Sequence, residues 1–236
     1  YRDEQWHGRT QLKFMHARAQ QGCTDPAALQ ETLRTLRPMI FRRAGLTVNL
    51  TADAAGLDSL TAALAPRLGA LPGGQDAVPA APVLPTPHHP GIAIAAQVCY
   101  VAKLLPAPAY DDPRAAALMV AARHLAGGYL YNHVRLQGGA YGGLAAYDPL
   151  AGVFAFLSYR DPHIVQTFTA YADAVKTLID APVPAGELAK ALIGTIGALD
   201  KPLDPSGRGR VAMIREFVGL TDERRQRLRS AILEMT

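Results

Sequence analysis

A proline-rich stretch at residues 72–90 divides the chain into two parts. It holds six prolines and two adjacent glycines, and it shows almost no helical or strand periodicity. Proline lacks the amide hydrogen that helices and sheets require, so regular structure should not continue through this stretch. We therefore expect a linker at residues 72–90, between a first segment at 1–71 and a larger domain at 91–236.

The segment before the linker combines helix signals with one strand signal. Helical spacing runs through residues 2–21, and Asp25-Pro26 should begin a second helix that ends near Pro38. Residues 46–51 alternate apolar and polar side chains, which predicts a half-buried strand, and a helix at 57–68 should follow. We expect this segment to close a preceding domain or to pack on the last one. The inward side chains of the first helix are predicted to be Trp6, Leu12, Phe14 and Met15.

The domain after the linker has the pattern of an α+β fold. Residues 92–105 predict a long buried strand, and a helix should run from about residue 111 to 135, interrupted at Gly127-Gly128. Strands at 141–147 and 153–159, joined by a turn with proline and glycine, predict a hairpin. The remaining residues predict helices at 164–179, 186–199, 211–218 and 222–235. The expected architecture is an antiparallel sheet flanked by helices.

Composition and charge exclude several classes of protein. Hydrophobic residues make up 49% of the chain and charged residues 19%, as in ordinary globular proteins. The net charge is +4, and most of the basic residues are scattered along the chain. Those clustered at residues 224–229 have the spacing of a solvated helix face, so no nucleic-acid partner is expected. No apolar stretch approaches the roughly 18 residues of a membrane span, so we expect a soluble chain, cytoplasmic in a bacterium. Because it begins with Tyr1, it is interpreted as a fragment or a processed product.

The histidines and cysteines do not form a recognisable metal motif. Two adjacent histidines, His88 and His89, lie in the proline-rich stretch without a nearby acidic partner. The two cysteines, Cys23 and Cys99, are too far apart for a C-x-x-C motif. No histidine has a glutamate at the offsets of H-x-x-E-H or H-E-x-x-H. We therefore expect no metal site in this chain.

A glycine-rich segment at residues 133–143 is the densest concentration of unusual residues. Four glycines occupy six positions at 138–143, which permits close approach of the backbone to a ligand. The segment also carries a cation, Arg135, and a phenol, Tyr141. A phosphate loop is excluded because the glycines end a helix instead of beginning one. Arg135 could equally stabilise the last helical turn, and Tyr141 could be the first inward residue of a strand.

Three motifs together carry a family resemblance. They are residues 134–143 (VRLQGGAYGG), residues 147–149 (YDP) and residues 156–162 (FLSYRDP). This combination resembles the last domain of the pitrilysin/insulinase family of zinc peptidases, in its presequence-protease branch. The similarity extends from about Trp6 to the C-terminus and is weakest in the linker. Cys99 departs from the pattern, since the family would have a polar residue there.

The resemblance implies a division of labour within a longer polypeptide. The N-terminal half of the parent would hold zinc through an H-x-x-E-H motif, making it a zinc endopeptidase that degrades short unstructured peptides. This chain would supply chamber wall and contact the peptide backbone through Arg135 and Tyr141, with Gly138 and Gly139 beside the substrate. Alone it would be inactive and bind no catalytic zinc. The alternative is a catalytically silent scaffold or partner subunit of the same fold.

Overall fold

A computed structural model describes residues 6–74 and 90–236 of the chain. The chain divides into two compact units, Tyr1–Ile92 and Ala93–Thr236. Within the described residues, no helix is both long enough and apolar enough to cross a membrane.

Three helices make up most of the first unit. They are α1 (Arg9–Thr24), α2 (Pro26–Ile40) and α3 (Ala54–Gly69). Asp25 caps α2 by accepting a hydrogen bond from the backbone nitrogen of Ala28 at 3.0 Å, and Asp53 caps α3 in the same way from Gly56 at 2.7 Å. Backbone hydrogen bonds from Arg43 to Pro72 and from Ala44 to Gly73 connect the residues after α2 to the residues after α3.

Two predictions for this unit are wrong. The alternating residues 46–51 form no strand. None of the described strands pairs with them, and alternation without a pairing partner does not make a strand. The apolar side chains predicted to face inward from the first helix are exposed, with Trp6 at 72% and Leu12 at 70%. None of the described residues of this unit is buried. The prediction of a linker concerns mainly residues 75–89, which lie outside the described part.

A three-stranded antiparallel sheet organises the second unit. Its strands are β1 (Cys99–Pro106), β2 (Gly142–Asp148) and β3 (Val153–Asp161), in the order β1-β3-β2. The predicted hairpin is confirmed: β2 and β3 pair directly, and Asp148 fixes the turn by accepting hydrogen bonds from the backbone nitrogens of Leu150 and Ala151. The fold is α+β, as the sequence predicts.

The two faces of this sheet differ sharply in exposure. Side chains of one face are buried, with Val101, Phe154 and Phe156 between 1% and 8% exposed. The opposite face is apolar but exposed, and it carries Tyr100, Leu104, Leu144 and Tyr159.

Five α-helices and one π-helical segment accompany the sheet. The helices are α4 (Ala115–Gly127), α5 (Val165–Asp180), α6 (Ala185–Leu199), α7 (Pro205–Phe217) and α8 (Asp222–Leu233), and the π-helical segment is Tyr131–Gln137. Helix α4 is central, because it contacts β2, α6 and α8. One core cluster lies between the sheet, α4, the π-helical segment and α5, and a second joins α4, α6 and α8.

Three element boundaries differ from the sequence predictions. Strand β1 begins at Cys99 and not near residue 92, because β3 provides partners only for residues 99–106, and Val101 is its one buried residue. The helix predicted to reach residue 135 stops at Gly127 and continues as the π-helical segment. Helix α7 begins at Pro205, six residues early, because Asp204 caps it through the backbone nitrogen of Gly207.

Candidate functional site

The π-helical segment places Arg135 on the surface. Helix α4 ends where the backbone nitrogen of Gly128 donates to the carbonyl of His124 at 2.9 Å, and the chain then winds into the wider π-helix. In this segment Val134 is buried at 2% exposure, whereas the neighbouring Arg135 is exposed. π-Helical segments are rare and are frequently found at functional sites. The buried valine therefore anchors the turn from which Arg135 projects.

A tight turn follows, and glycines make it possible. The backbone nitrogens of Gly138, Gly139 and Ala140 donate to carbonyls of the π-helical segment at 3.0 to 3.1 Å. A Cβ at Gly138 would lie 2.7 Å from the carbonyl oxygen of Val134, and Gly139 has a left-handed φ of 75°. The close approach that these glycines permit is thus to the chain's own backbone. A contact of Gly138 and Gly139 with substrate remains a prediction.

Tyr141 lies just after this turn and immediately before β2. Its side chain is 57% exposed, so it is not an inward residue of the strand. Its backbone nitrogen donates to the carbonyl of Arg160 at 3.3 Å, which ties it to β3. The guanidinium carbon of Arg135 lies 5.8 Å from the centre of the Tyr141 ring and 5.3 Å from that of Tyr131. The structure therefore brings together the two residues that the sequence singled out.

Two residues of this site were not identified as site residues from the sequence. The guanidinium carbon of Arg160 lies 5.7 Å from the Tyr141 ring centre, and the Tyr159 ring lies 5.3 Å from it, tilted by 60°. Both belong to a motif used only for the family resemblance. Their approach to Tyr141 depends on the pairing of β3 with its neighbours, so residue types alone could not reveal it. The candidate site thus carries two cations around one exposed phenol.

A buried polar cluster lies at the end of β3 next to Arg160. Asp161 is 1% exposed, and its carboxylate accepts hydrogen bonds from the hydroxyls of Ser158 at 2.6 Å and Thr167 at 2.7 Å and from the backbone nitrogen of His163 at 2.9 Å. Tyr171, which is fully buried, donates to the carbonyl of Val101. Burial raises the pKa of the Tyr171 phenol to about 12, and the negative charge of Asp161 adds to this effect.

The other reactive side chains do not assemble into a metal site. Within residues 6–74 and 90–236, no three His, Cys, Asp or Glu side chains come close enough to hold a metal ion. His133 instead stacks on Tyr129, with ring centres 4.0 Å apart, and the thiols of Cys23 and Cys99 are free. His88 and His89 lie outside the described residues.

Ion pairs occupy much of the basic run on α8. Arg224 binds Asp111 at 2.7 Å and Arg229 binds Asp200 at 2.8 Å, and Arg225 pairs with Asp222 within the same helix at 2.7 Å. These carboxylates neutralise the run locally, in agreement with its interpretation as a solvated helix face.

Comparison with known proteins gives consistent results. Residues 92–236 match the family model of the PreP C-terminal domain. The chain is 34% identical to presequence protease 1, chloroplastic/mitochondrial, of Arabidopsis thaliana, over 98% of its own length and 21% of that protein. It is 29% identical to the mitochondrial presequence protease of Aspergillus fumigatus, over 99% of its length and 22% of that protein. The chain thus spans about a fifth of these relatives.

A solved structure supports the fold. The peptidase M16 inactive domain from Pseudomonas fluorescens superposes with a TM-score of 0.54 at 19% identity, over 76% of this chain and 45% of that one. This likeness concerns the fold alone. The match over residues 92–236 includes every strand of the sheet and the whole candidate site. The chain therefore belongs to the family of presequence protease C-terminal domains, the C-terminal portion of a pitrilysin-like peptidase.

Proposed function

We propose that this chain supplies peptide-binding groups and chamber wall to a zinc endopeptidase that degrades short unstructured peptides. The observation that carries the proposal is the exposed pair of Arg135 and Tyr141, 5.8 Å apart as measured from guanidinium carbon to ring centre. Both side chains face solvent, and Arg135 forms no salt bridge with any described residue. Their hydrogen-bonding groups are therefore free for a ligand.

The chemistry of the two side chains suits a peptide undergoing hydrolysis. A guanidinium presents several N–H donors in a planar array and can bind the carbonyl oxygens of an extended backbone. A phenol can donate one hydrogen bond to the oxygen that becomes negative when the scissile carbonyl turns tetrahedral. In this proposal Arg135 holds the peptide and Tyr141 stabilises the oxyanion.

Zinc in this proposal belongs to the rest of the parent polypeptide. The described residues offer no group of three His, Cys, Asp or Glu ligands for a metal. This chain matches only about a fifth of the relatives' length. In this proposal the zinc motif and the groups that activate water lie in the remaining part of the parent.

The test is Tyr141→Phe in the full-length parent protein. Removal of one oxyanion donor should lower turnover of an unstructured peptide by roughly 10- to 1000-fold, while the aromatic ring is kept. The measurement is kcat and KM on a fluorogenic peptide, with zinc content determined in parallel. The matched control is Tyr110→Phe, since Tyr110 contacts Arg224 and not the candidate site.

Two outcomes would contradict the proposal in different ways. An unchanged kcat in Tyr141→Phe would remove the oxyanion role and leave Tyr141 as a surface residue. A wild-type parent that binds no zinc and cleaves no peptide would favour the alternative function, a scaffold or partner subunit of the same fold.

A further inference from the structure

Arg160 has a backbone conformation that arginine rarely adopts. Its φ is 48°, and it is the one non-glycine with a positive φ among the described residues. For a residue with a Cβ, the left-handed conformation is less favourable than the right-handed one by about 1 kcal/mol or more. Such a conformation persists only where the surrounding structure imposes it, so the cause lies in the neighbouring contacts.

A β-bulge imposes this conformation. On β1, Cys99 pairs with Asp161 and the next residue, Tyr100, pairs with Tyr159, so Arg160 has no partner in that ladder. The extra residue disturbs the alternation of the strand: Ser158 and Asp161 are both buried, and the two residues between them, Tyr159 and Arg160, are both exposed. The bulge therefore turns two consecutive side chains towards solvent.

The buried cluster fixes the bulge from the inside. The Asp161 carboxylate accepts three hydrogen bonds, two of them from Ser158 and Thr167. Buried carboxylates need such donors to remain in the core. Because Ser158 lies before Arg160 and Asp161 after it, their 2.6 Å hydrogen bond holds both sides of the bulged residue.

The result is a second free guanidinium beside Tyr141. Arg160 lies 5.7 Å from the ring centre and Arg135 lies 5.8 Å from it, and neither forms a salt bridge with any residue the structure describes. The Asp161 carboxylate forms no ion pair with either arginine, since its hydrogen bonds come from Ser158, Thr167 and His163. Because both guanidinium groups lie beside the same ring, both add positive potential to the surface around Tyr141, and an anion is attracted there.

We propose that Arg160 and Arg135 together bind a carboxylate of the peptide, either an acidic side chain or the C-terminal carboxylate. This inference rests on the proposed function for the nature of the ligand, but it adds a residue and a chemical preference. Arginine binds carboxylates through two parallel N–H···O bonds, which gives both geometry and charge a role. Asp161 acts as a positioning residue, through the bulge that directs Arg160.

The experiment compares peptide binding by the full-length parent protein and its variants in the presence of a zinc chelator, so that no cleavage occurs. Fluorescence anisotropy gives Kd for four labelled versions of one peptide: internal Glu or Gln, each with a free or an amidated C-terminus. Arg160→Gln should raise Kd roughly 10-fold for the version whose carboxylate is bound, because a charge-assisted hydrogen bond is lost. The fully neutral version should change much less, and comparison of the arms identifies the source of the carboxylate.

Three variants serve as controls. Arg210→Gln makes the same change of charge at an exposed arginine of α7 and should leave all four Kd values unchanged. Arg160→Lys keeps the positive charge, so it should retain part of the preference for peptides that carry the bound carboxylate over the fully neutral peptide. Arg160→Gly removes the strain of a left-handed backbone, so its unfolding temperature should be no lower than that of the wild type. It should nevertheless lose the preference for the carboxylate-bearing peptide.

Equal effects of Arg160→Gln on all four peptides, or no effect on any, would overturn the inference. Loss of the preference in Arg210→Gln as well would also overturn it, since the effect would then reflect net charge. Cleavage assays with zinc restored are scored separately. A wild-type protein that binds these peptides but never cleaves them would contradict the proposed endopeptidase and leave the assignment of Arg160 standing.

Discussion

Tyr171 is a fully buried phenol whose proton matters for stability. Its hydroxyl donates to the carbonyl of Val101 at 3.3 Å, linking α5 to β1. Burial raises its pKa in the folded chain to about 12, whereas an unfolded tyrosine titrates near 10. Folding therefore favours the protonated phenol. The stability that this residue contributes is complete below pH 10 and is lost as the pH rises towards 12.

Tyr171→Phe should separate the contribution of the hydrogen bond from the effect of ionising the phenol. At pH 7 the variant loses one buried hydrogen bond, which should lower the free energy of unfolding by about 0.5–1.5 kcal/mol. Between pH 9 and 12 it should lose less stability than the wild type, because its side chain cannot ionise. Urea unfolding across this pH range measures both effects, and parallel curves for the two proteins would show that Tyr171 does not control the alkaline limb.

The contact between the π-helical segment and β2 depends on a glycine. A Cβ at Gly143 would lie 2.8 Å from the Cβ of Val134 and 2.9 Å from the carbonyl oxygen of Leu130. Both distances are too short for carbon in a packed core, and the carbonyl belongs to the backbone, which cannot move aside easily. The position of Arg135 relative to Tyr141 therefore depends on the absence of a side chain at residue 143.

Gly143→Ala should lower the free energy of unfolding by about 1–3 kcal/mol, as expected for an overpacked core. The control is Gly197→Ala on α6, where nothing lies within 4 Å of the new Cβ and the gain in helix propensity should stabilise the chain by about 0.5–1 kcal/mol. Opposite signs in urea unfolding are expected. A neutral Gly143→Ala would show that the segment and the strand can separate freely.

Elements set by local chemistry are predictable from this sequence, and elements set by partners are not. The hairpin of β2 and β3 and the N-caps at Asp25 and Thr221 follow from nearby residues. The wrong strand at residues 46–51 had the correct alternation but no partner. The bulge at Arg160 likewise depends on the pairing of β3 with β1, which is distant in sequence. The sequence therefore predicts only half of the candidate site: Arg135 and Tyr141 were identified as site residues, but Arg160 and Tyr159 were not.

At the scale of the whole molecule, every buried side chain among the described residues lies in the second unit. Both core clusters consist of residues after position 98, and the family model begins at residue 92. Among the described residues of Tyr1–Ile92 none is buried. The free energy that stabilises the native chain against unfolding should therefore come almost entirely from burial within residues 93–236.

A chain truncated to residues 93–236 should keep a single cooperative thermal transition close to that of the 236-residue chain, because it retains both core clusters. Residues 1–92 alone should show no such transition. Circular dichroism and differential scanning calorimetry measure both fragments, with the 236-residue chain as the reference. A truncated chain that fails to unfold cooperatively would mean that the first unit contributes to the native core.

The lack of burial in the described part of the first unit also has a calorimetric consequence. The heat-capacity increment of unfolding arises from apolar surface that becomes hydrated, at about 12–15 cal/mol/K per residue in fully packed domains. For a packed chain of this length the increment would be about 3 kcal/mol/K, whereas packing confined to residues 93–236 reduces it to about 2 kcal/mol/K. The curve of stability against temperature is then flatter than the chain length suggests, and cold denaturation moves further below the freezing point of water.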